Sequence, residues 1–190
     1  MLNYKILTIL SIALIVALSC VSQQTDEKSQ DQDDVVVSYV KSANAPVVVD
    51  KATGKLAKDF DLALFNGQTL RLSELKGQVI VLNFWTPSCP TCRAEIPILE
   101  NMWQEYKDKG VTFVGISGII DSEKHAKTFI ENNGVTYHVG RDETGEIAQN
   151  YRALTLPTTF IIDRNGNEAR KLGTLNAGML RIFINGQLQN

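Results

Sequence analysis

The sequence predicts an α/β domain, a three-layer sandwich of helices around a mixed sheet. Three observations carry that expectation. Val79–Trp85 is a nearly unbroken apolar run, as expected of a strand covered on both faces. A long amphipathic pattern follows it, with Ile96, Leu99, Met102, Trp103 and Tyr106 at helical spacing up to a stop at Gly110. Asn165-Gly166, between two β-type runs, is a hairpin turn. Strands joined through a long helix lie parallel and hairpin strands antiparallel, so the sheet is mixed.

The chain opens with Lys5 and a run at 6–18 that is apolar except for Thr8 and Ser11, the layout of a signal peptide. Continued to Val21, the run is short for a ~30 Å hydrocarbon layer at ~1.5 Å per residue. Ala17-Leu18-Ser19-Cys20 resembles a bacterial lipobox, which implies lipidation of Cys20 and removal of the preceding segment; an uncleaved signal anchor is the alternative. Residues 1–20 are therefore expected to direct export. Residues 21–34 hold five acids, one lysine and a single apolar residue, a solvated tether. The two valine runs at 35–37 and 47–49 are either strands or linker. The folded domain is expected over 55–190, with 21–54 as polar tether and undecided strands.

Phe60, Leu62 and Leu64 alternate, Asn66-Gly67 supplies a turn, and Leu70 and Leu72 alternate again, giving an opening β-hairpin. A single capped turn at 73–75 leads into the central strand and the long helix. Residues 111–117 read as a second buried strand and 122–132 as a helix whose Ala126, Phe129 and Ile130 share a face. A short extended piece follows at 136–139, then helix at 146–151. Strands at 158–163 and 168–172 flank the Asn165-Gly166 turn, and a short last helix is expected from about 176 to 184, weakened by Gly178 and, beyond it, Gly186.

Composition removes several function classes. With 19 basic and 21 acidic residues the net charge is −2, against a general nucleic-acid binder. Five prolines and thirteen glycines are too few for a fibrous or wholly disordered chain. No solenoid-length repeat is present. Gly115-Ile116-Ser117-Gly118 lacks the last glycine of a hydrolase elbow, and no phosphate-binding glycine loop follows a strand.

Chemistry concentrates at Cys89-Pro90-Thr91-Cys92, between the central strand and the long helix. The N–H groups of a helix's first turn lack intrahelical partners and carry a partial positive charge, so a sulfur anion at Cys89 is favoured there. Cys92 lies one turn on, close enough for a disulfide, and Pro90 has no N–H to leave unpaired. A zinc site would need two further ligands from Cys20, His125, His138 and carboxylates, which spacing does not assemble. No metal and no cofactor beyond a redox-active Cys89–Cys92 disulfide is expected.

Residues 81–97, Val-Leu-Asn-Phe-Trp-Thr-Pro-Ser-Cys-Pro-Thr-Cys-Arg-Ala-Glu-Ile-Pro, resemble the thioredoxin-fold active site, and within that superfamily the exported TlpA/ResA group. Residues 156–163, Leu-Pro-Thr-Thr-Phe-Ile-Ile-Asp, are similar to the family's cis-proline loop and following strand. The resemblance implies a thioredoxin fold in which the N-terminal hairpin and an insertion after the central β-α-β unit are additions. It implies Cys89 as attacking thiol, Cys92 as resolving thiol, Pro157 as the cis-proline facing them and Glu95 as an aid to proton transfer at Cys92. Leu156 would offer its backbone to substrate, on a substrate-facing rim with Trp85, Pro90 and Thr91, Trp85 also supporting the turn. Asn83 departs from the pattern: it stands where thioredoxin has a buried aspartate, and it cannot titrate.

Thiol–disulfide exchange is the chemistry so implied, with a disulfide-bearing protein as substrate, an upstream membrane thiol donor, and attachment to the membrane outside the cytoplasm. The resemblance points to cytochrome c maturation or a related rescue of cysteine pairs. Two rival classes are a peroxidase of the peroxiredoxin type, for which Thr86 fits and Leu82 does not, and a Cu(I) chaperone using the two thiolates.

Overall fold

The computed structural model describes residues 49–50 and 54–189, all inside the unit Val35–Asn190. Expectations for 1–48 and 51–53, lipidation of Cys20 among them, lie outside the described residues. In chain order the elements are β1 (Val49–Asp50), β2 (Asp61–Leu64), β3 (Thr69–Arg71), a 3-10 turn (Leu72–Leu75), β4 (Val79–Trp85), α1 (Pro90–Tyr106), β5 (Val111–Ser117), α2 (Glu123–Asn132), β6 (His138–Arg141), α3 (Glu146–Asn150), β7 (Thr158–Ile162), β8 (Glu168–Leu172) and α4 (Ala177–Leu188).

The strands form one sheet in the order β1-β8-β7-β4-β5-β6-β2-β3. β4 and β5 pair parallel, from Val79 opposite Val111 to Trp85 opposite Ser117, because α1 carries the chain back along the sheet between them. β7 lies antiparallel on the other side of β4 and β8 antiparallel on β7, so the sheet is mixed as expected. Side chains along β4 alternate between two cores. Val79, Val81 and Trp85 pack with Ile96, Leu99 and Met102 of α1, Ala126 and Ile130 of α2 and Leu180 and Ile184 of α4. Ile80, Leu82 and Phe84 pack on the opposite face with Leu62, Ile147, Tyr151 and Phe160.

Three details differ from the sequence expectation. The extended piece expected at 136–139 is the strand His138–Arg141, parallel to β5 and antiparallel to β2, and it joins the opening hairpin to the sheet. Four residues carry too little pattern to reveal such pairing. Gly140 makes it possible, since a Cβ there would lie 2.3 Å from the Ala63 carbonyl oxygen and 2.7 Å from Leu62. Val49, the last of the second valine run, pairs with Leu172, so the sheet begins ahead of residue 55. Helix α4 runs past 184 to Leu188 despite Gly178 and Gly186, because its buried Met179, Leu180 and Ile184 anchor it to the protein.

Candidate active site

β4 ends at Trp85, and the 86–88 turn is closed by the Cys89 N–H donating to the Thr86 carbonyl at 3.1 Å. α1 begins at Pro90, which makes Cys89 its N-cap, with extended φ −89° and ψ 112°. The cap is the sulfur itself: the Cys92 N–H donates to Cys89 Sγ at 3.2 Å. A side-chain acceptor at this position satisfies one of the four orphan donors of a helix start. Cys89 is half-buried and Cys92, one turn deeper, is 1 % exposed; both are free thiols. Burial foremost, then the hydrogen bond with Cys89, pushes the Cys92 thiol well above its ordinary range. One segment of chain thus holds an accessible sulfur and a protected one.

The loop before β7 faces the accessible sulfur. Cys89 Sγ donates to the Leu156 carbonyl at 3.8 Å, and the Leu156–Pro157 peptide is cis. Leu156 is half-buried and Pro157 buried, while Pro90 and Thr91 are exposed beside Cys89. Trp85 differs from its place on the substrate-facing rim. It is wholly buried and stacks on Phe129 with ring centres 5.6 Å apart, so it supports the turn from beneath and cannot touch a partner.

Glu95 projects from α1 on the same side as Cys92 and is 2 % exposed. Its Oε1 accepts the Leu175 N–H at 2.7 Å, and Oε2 has no hydrogen-bond partner among the described residues. Burial pushes the carboxyl up to about 7, against the opposing pull of the Leu175 bond. Asn83, on the same face of β4 as Trp85, donates to Thr159 Oγ1 at 2.9 Å and leaves its own Oδ1 without a partner among the described residues.

Sequence reasoning missed Asp121, Ser88 and the use of Thr86. Asp121, in the loop after β5, accepts from the Thr86 hydroxyl, from the Ser88 N–H at 3.0 Å and from the Ser88 hydroxyl at 2.6 Å. The peroxiredoxin-like spacing of Thr86 therefore serves the turn, and Leu82 lies in the opposite core. His125, expected on a wet face, is half-exposed with Nδ1 2.8 Å from Asp121. His138 stacks on Trp103 at 6.3 Å. Among the described residues no group of three or more His, Cys, Asp and Glu side chains is placed to hold a metal. The one signal available was Asp121-Ser122 ahead of a helical pattern, where Ser122 caps α2 through the His125 N–H.

The AhpC/TSA family model matches residues 53–168. The chain is 34 % identical over 155 residues to the thiol-disulfide oxidoreductase ResA of Oceanobacillus iheyensis, covering 79 % of this chain and 78 % of that protein. It is 32 % identical over 133 residues to the thiol-disulfide oxidoreductase ResA of Bacillus subtilis, covering 70 % and 74 %. A crystal structure of a thiol:disulfide interchange protein of the thioredoxin family, from Chlorobium tepidum, superposes with a TM-score of 0.66 at 26 % identity, over 73 % of this chain and 99 % of that one.

Proposed function

The chain belongs to the AhpC/TSA family and is a thiol–disulfide oxidoreductase of the ResA type, and on that premise we propose that it is an extracytoplasmic, membrane-tethered enzyme that reduces protein disulfides through Cys89 and Cys92. The observation that carries this reading is the half-buried Cys89 sulfur serving as the N-cap of α1, with the Leu156 carbonyl over it and Cys92 protected beneath.

The Cys89 thiolate attacks one sulfur of the partner's disulfide; that S–S bond breaks, a partner thiol leaves, and a mixed disulfide remains. Cys92 then loses its proton, attacks Cys89 Sγ and displaces the second partner thiolate, which takes up a proton. Two electrons and two protons have passed to the partner, and a Cys89–Cys92 disulfide has formed. A buried thiol held high in its titration needs a base for the second step. Glu95, pushed up to about 7 and with one oxygen free of hydrogen bonds among the described residues, is suited to accept that proton. Two electrons from an upstream membrane thiol donor restore the dithiol, because the compartment outside the cytoplasm is oxidising.

The apolar run at 6–18 and the lipobox-like residues ending in Cys20 support the membrane tether. Likeness to the ResA group supports cysteine pairs of cytochrome c maturation as the substrate class. The Cys92→Ser variant of the full chain tests the reading: it should accumulate a partner bound through Cys89 and released by dithiothreitol, and Cys89→Ser should capture none. Exchange that survives Cys89→Ser, or a potential near the ~−120 mV of strong oxidants, overturns it.

A further inference from the structure

The turn that delivers Cys89 to α1 contains three polar groups that end on one carboxylate from another loop. Asp121 Oδ2 accepts from Thr86 Oγ1 and from the Ser88 N–H at 3.0 Å, and Oδ1 accepts from Ser88 Oγ at 2.6 Å with His125 Nδ1 at 2.8 Å. The Asp121 carbonyl in turn accepts from Arg141 Nη1 at 2.7 Å, which ties the loop to the end of β6. Asp121 is 8 % exposed. Burial by itself would raise its carboxyl, but the bonds from Ser88, Thr86 and His125 outweigh burial and hold it well below the usual carboxylate range. A permanent anion is therefore bonded to the residue immediately before the reactive sulfur.

We propose that Asp121 is a positioning residue for the exchange reaction: it fixes the 86–88 turn so that the Cys89 sulfur meets the end of α1, and its charge biases the Cys89–Cys92 pair toward the disulfide, making the dithiol a better electron donor. The inference rests on the oxidoreductase reading above. With one sulfur deprotonated the reduced pair carries a negative charge, whereas the disulfide carries none. A fixed anion beside a partly buried sulfur disfavours the first state relative to the second. Helix α1 pulls the other way, and the carboxylate offsets part of that pull. Two hydroxyls, a backbone N–H and the His125 ring hold the carboxylate in place, and among the described residues no lysine or arginine side chain forms a salt bridge with it.

Equilibration of the full chain with glutathione, at a pH at which the reduced pair carries one negative sulfur, reads the bias directly: that pair gives two electrons and its one proton to glutathione disulfide and solvent gives the second proton, yielding the Cys89–Cys92 disulfide and two glutathione thiols. Asp121→Asn is expected to shift this equilibrium constant about tenfold toward the dithiol, ~30 mV for a two-electron couple. Ser88→Ala removes the 2.6 Å bond and leaves the charge; its constant should stay within threefold of the native chain or move toward the disulfide. An Asp121→Asn constant within twofold of native overturns the inference, as does a tenfold shift toward the dithiol in both variants, which marks loosening of the turn without an electrostatic effect. If Asp121→Asn does not fold, Asp121→Ser is measured against the same limits. A native chain that exchanges nothing with glutathione overturns the oxidoreductase reading and this inference together, whereas native exchange with an unshifted Asp121 variant overturns this inference alone.

Discussion

The Leu175 N–H donates to Glu95 Oε1 at 2.7 Å across 80 positions of sequence, and the other oxygen of that carboxyl is buried without a hydrogen-bond partner among the described residues. The bond fixes one oxygen and leaves the second without a hydrogen bond among the described residues. A backbone contact from the segment entering α4 thus orients a buried acid one helical turn beyond Cys92.

Glu95 makes stability fall with rising pH. Native Glu95 keeps its proton up to about pH 7, whereas the unfolded chain releases it near ~4.3. The native state binds the extra proton across that window, so the contribution is full below pH 4 and is lost as pH rises through 7. Chemical denaturation should show about 2–3 kcal/mol of stability lost from pH 4.5 to pH 8 at this site, and Glu95→Gln should abolish that slope. The same variant should slow resolution of the mixed disulfide about tenfold to a hundredfold while sparing attack by Cys89, so rapid quenching would trap more mixed disulfide than in the native chain.

Alkylation should separate the two thiols. Cys92 is 1 % exposed and burial raises its thiol, whereas Cys89 is half-buried at the helix cap. Under native conditions at pH 7 iodoacetamide should modify Cys89 at least ~100-fold faster than Cys92. Mass spectrometry of the peptide spanning both residues should find a single adduct until denaturant is added.

Gly140→Ala should weaken the join between the opening hairpin and the rest of the sheet. Its Cβ would fall 2.3 Å from the Ala63 carbonyl oxygen, a backbone atom that can yield only if β2 moves off β6. A loss of about 2–4 kcal/mol is expected by thermal or urea unfolding. Alkylation of Cys89 in the folded variant should keep its native rate, because the clash lies on the far side of β5 from the thiols.

Asn83→Asp tests why an amide replaces an acid on β4. The amide donates to Thr159 Oγ1 and is 2 % exposed, with no donor facing its own oxygen among the described residues. An aspartate there would be pushed up by burial and, while protonated, could keep the bond to Thr159. Its ionisation would then cost stability as pH rises, about 2–4 kcal/mol between pH 5 and pH 8. An unchanged pH profile of unfolding would contradict this account of the site.

Much of the molecule was written locally. The apolar run of β4, the helical spacing from Ile96 to Tyr106 and the two Asn-Gly turns depend on periodicity and short-range hydrogen bonding, so the α/β layers and the cysteine pair at a strand-to-helix junction could be read from the residues alone. Cys89 as N-cap is of the same kind, since donor and acceptor sit three positions apart. What no local pattern contains is which distant groups arrive at that junction. Asp121 reaches Ser88 from 33 positions away and Leu175 reaches Glu95 from 80. Neither residue carries a signature of its partner, because an acid in a loop and a backbone N–H before a helix suit many environments. The pairing of His138–Arg141 between β5 and β2 and the burial that takes Trp85 out of reach of a partner were likewise decided by packing. Those contacts exist only once the sheet has brought its strand ends together, and the charge and proton balance of the thiol pair follows from them.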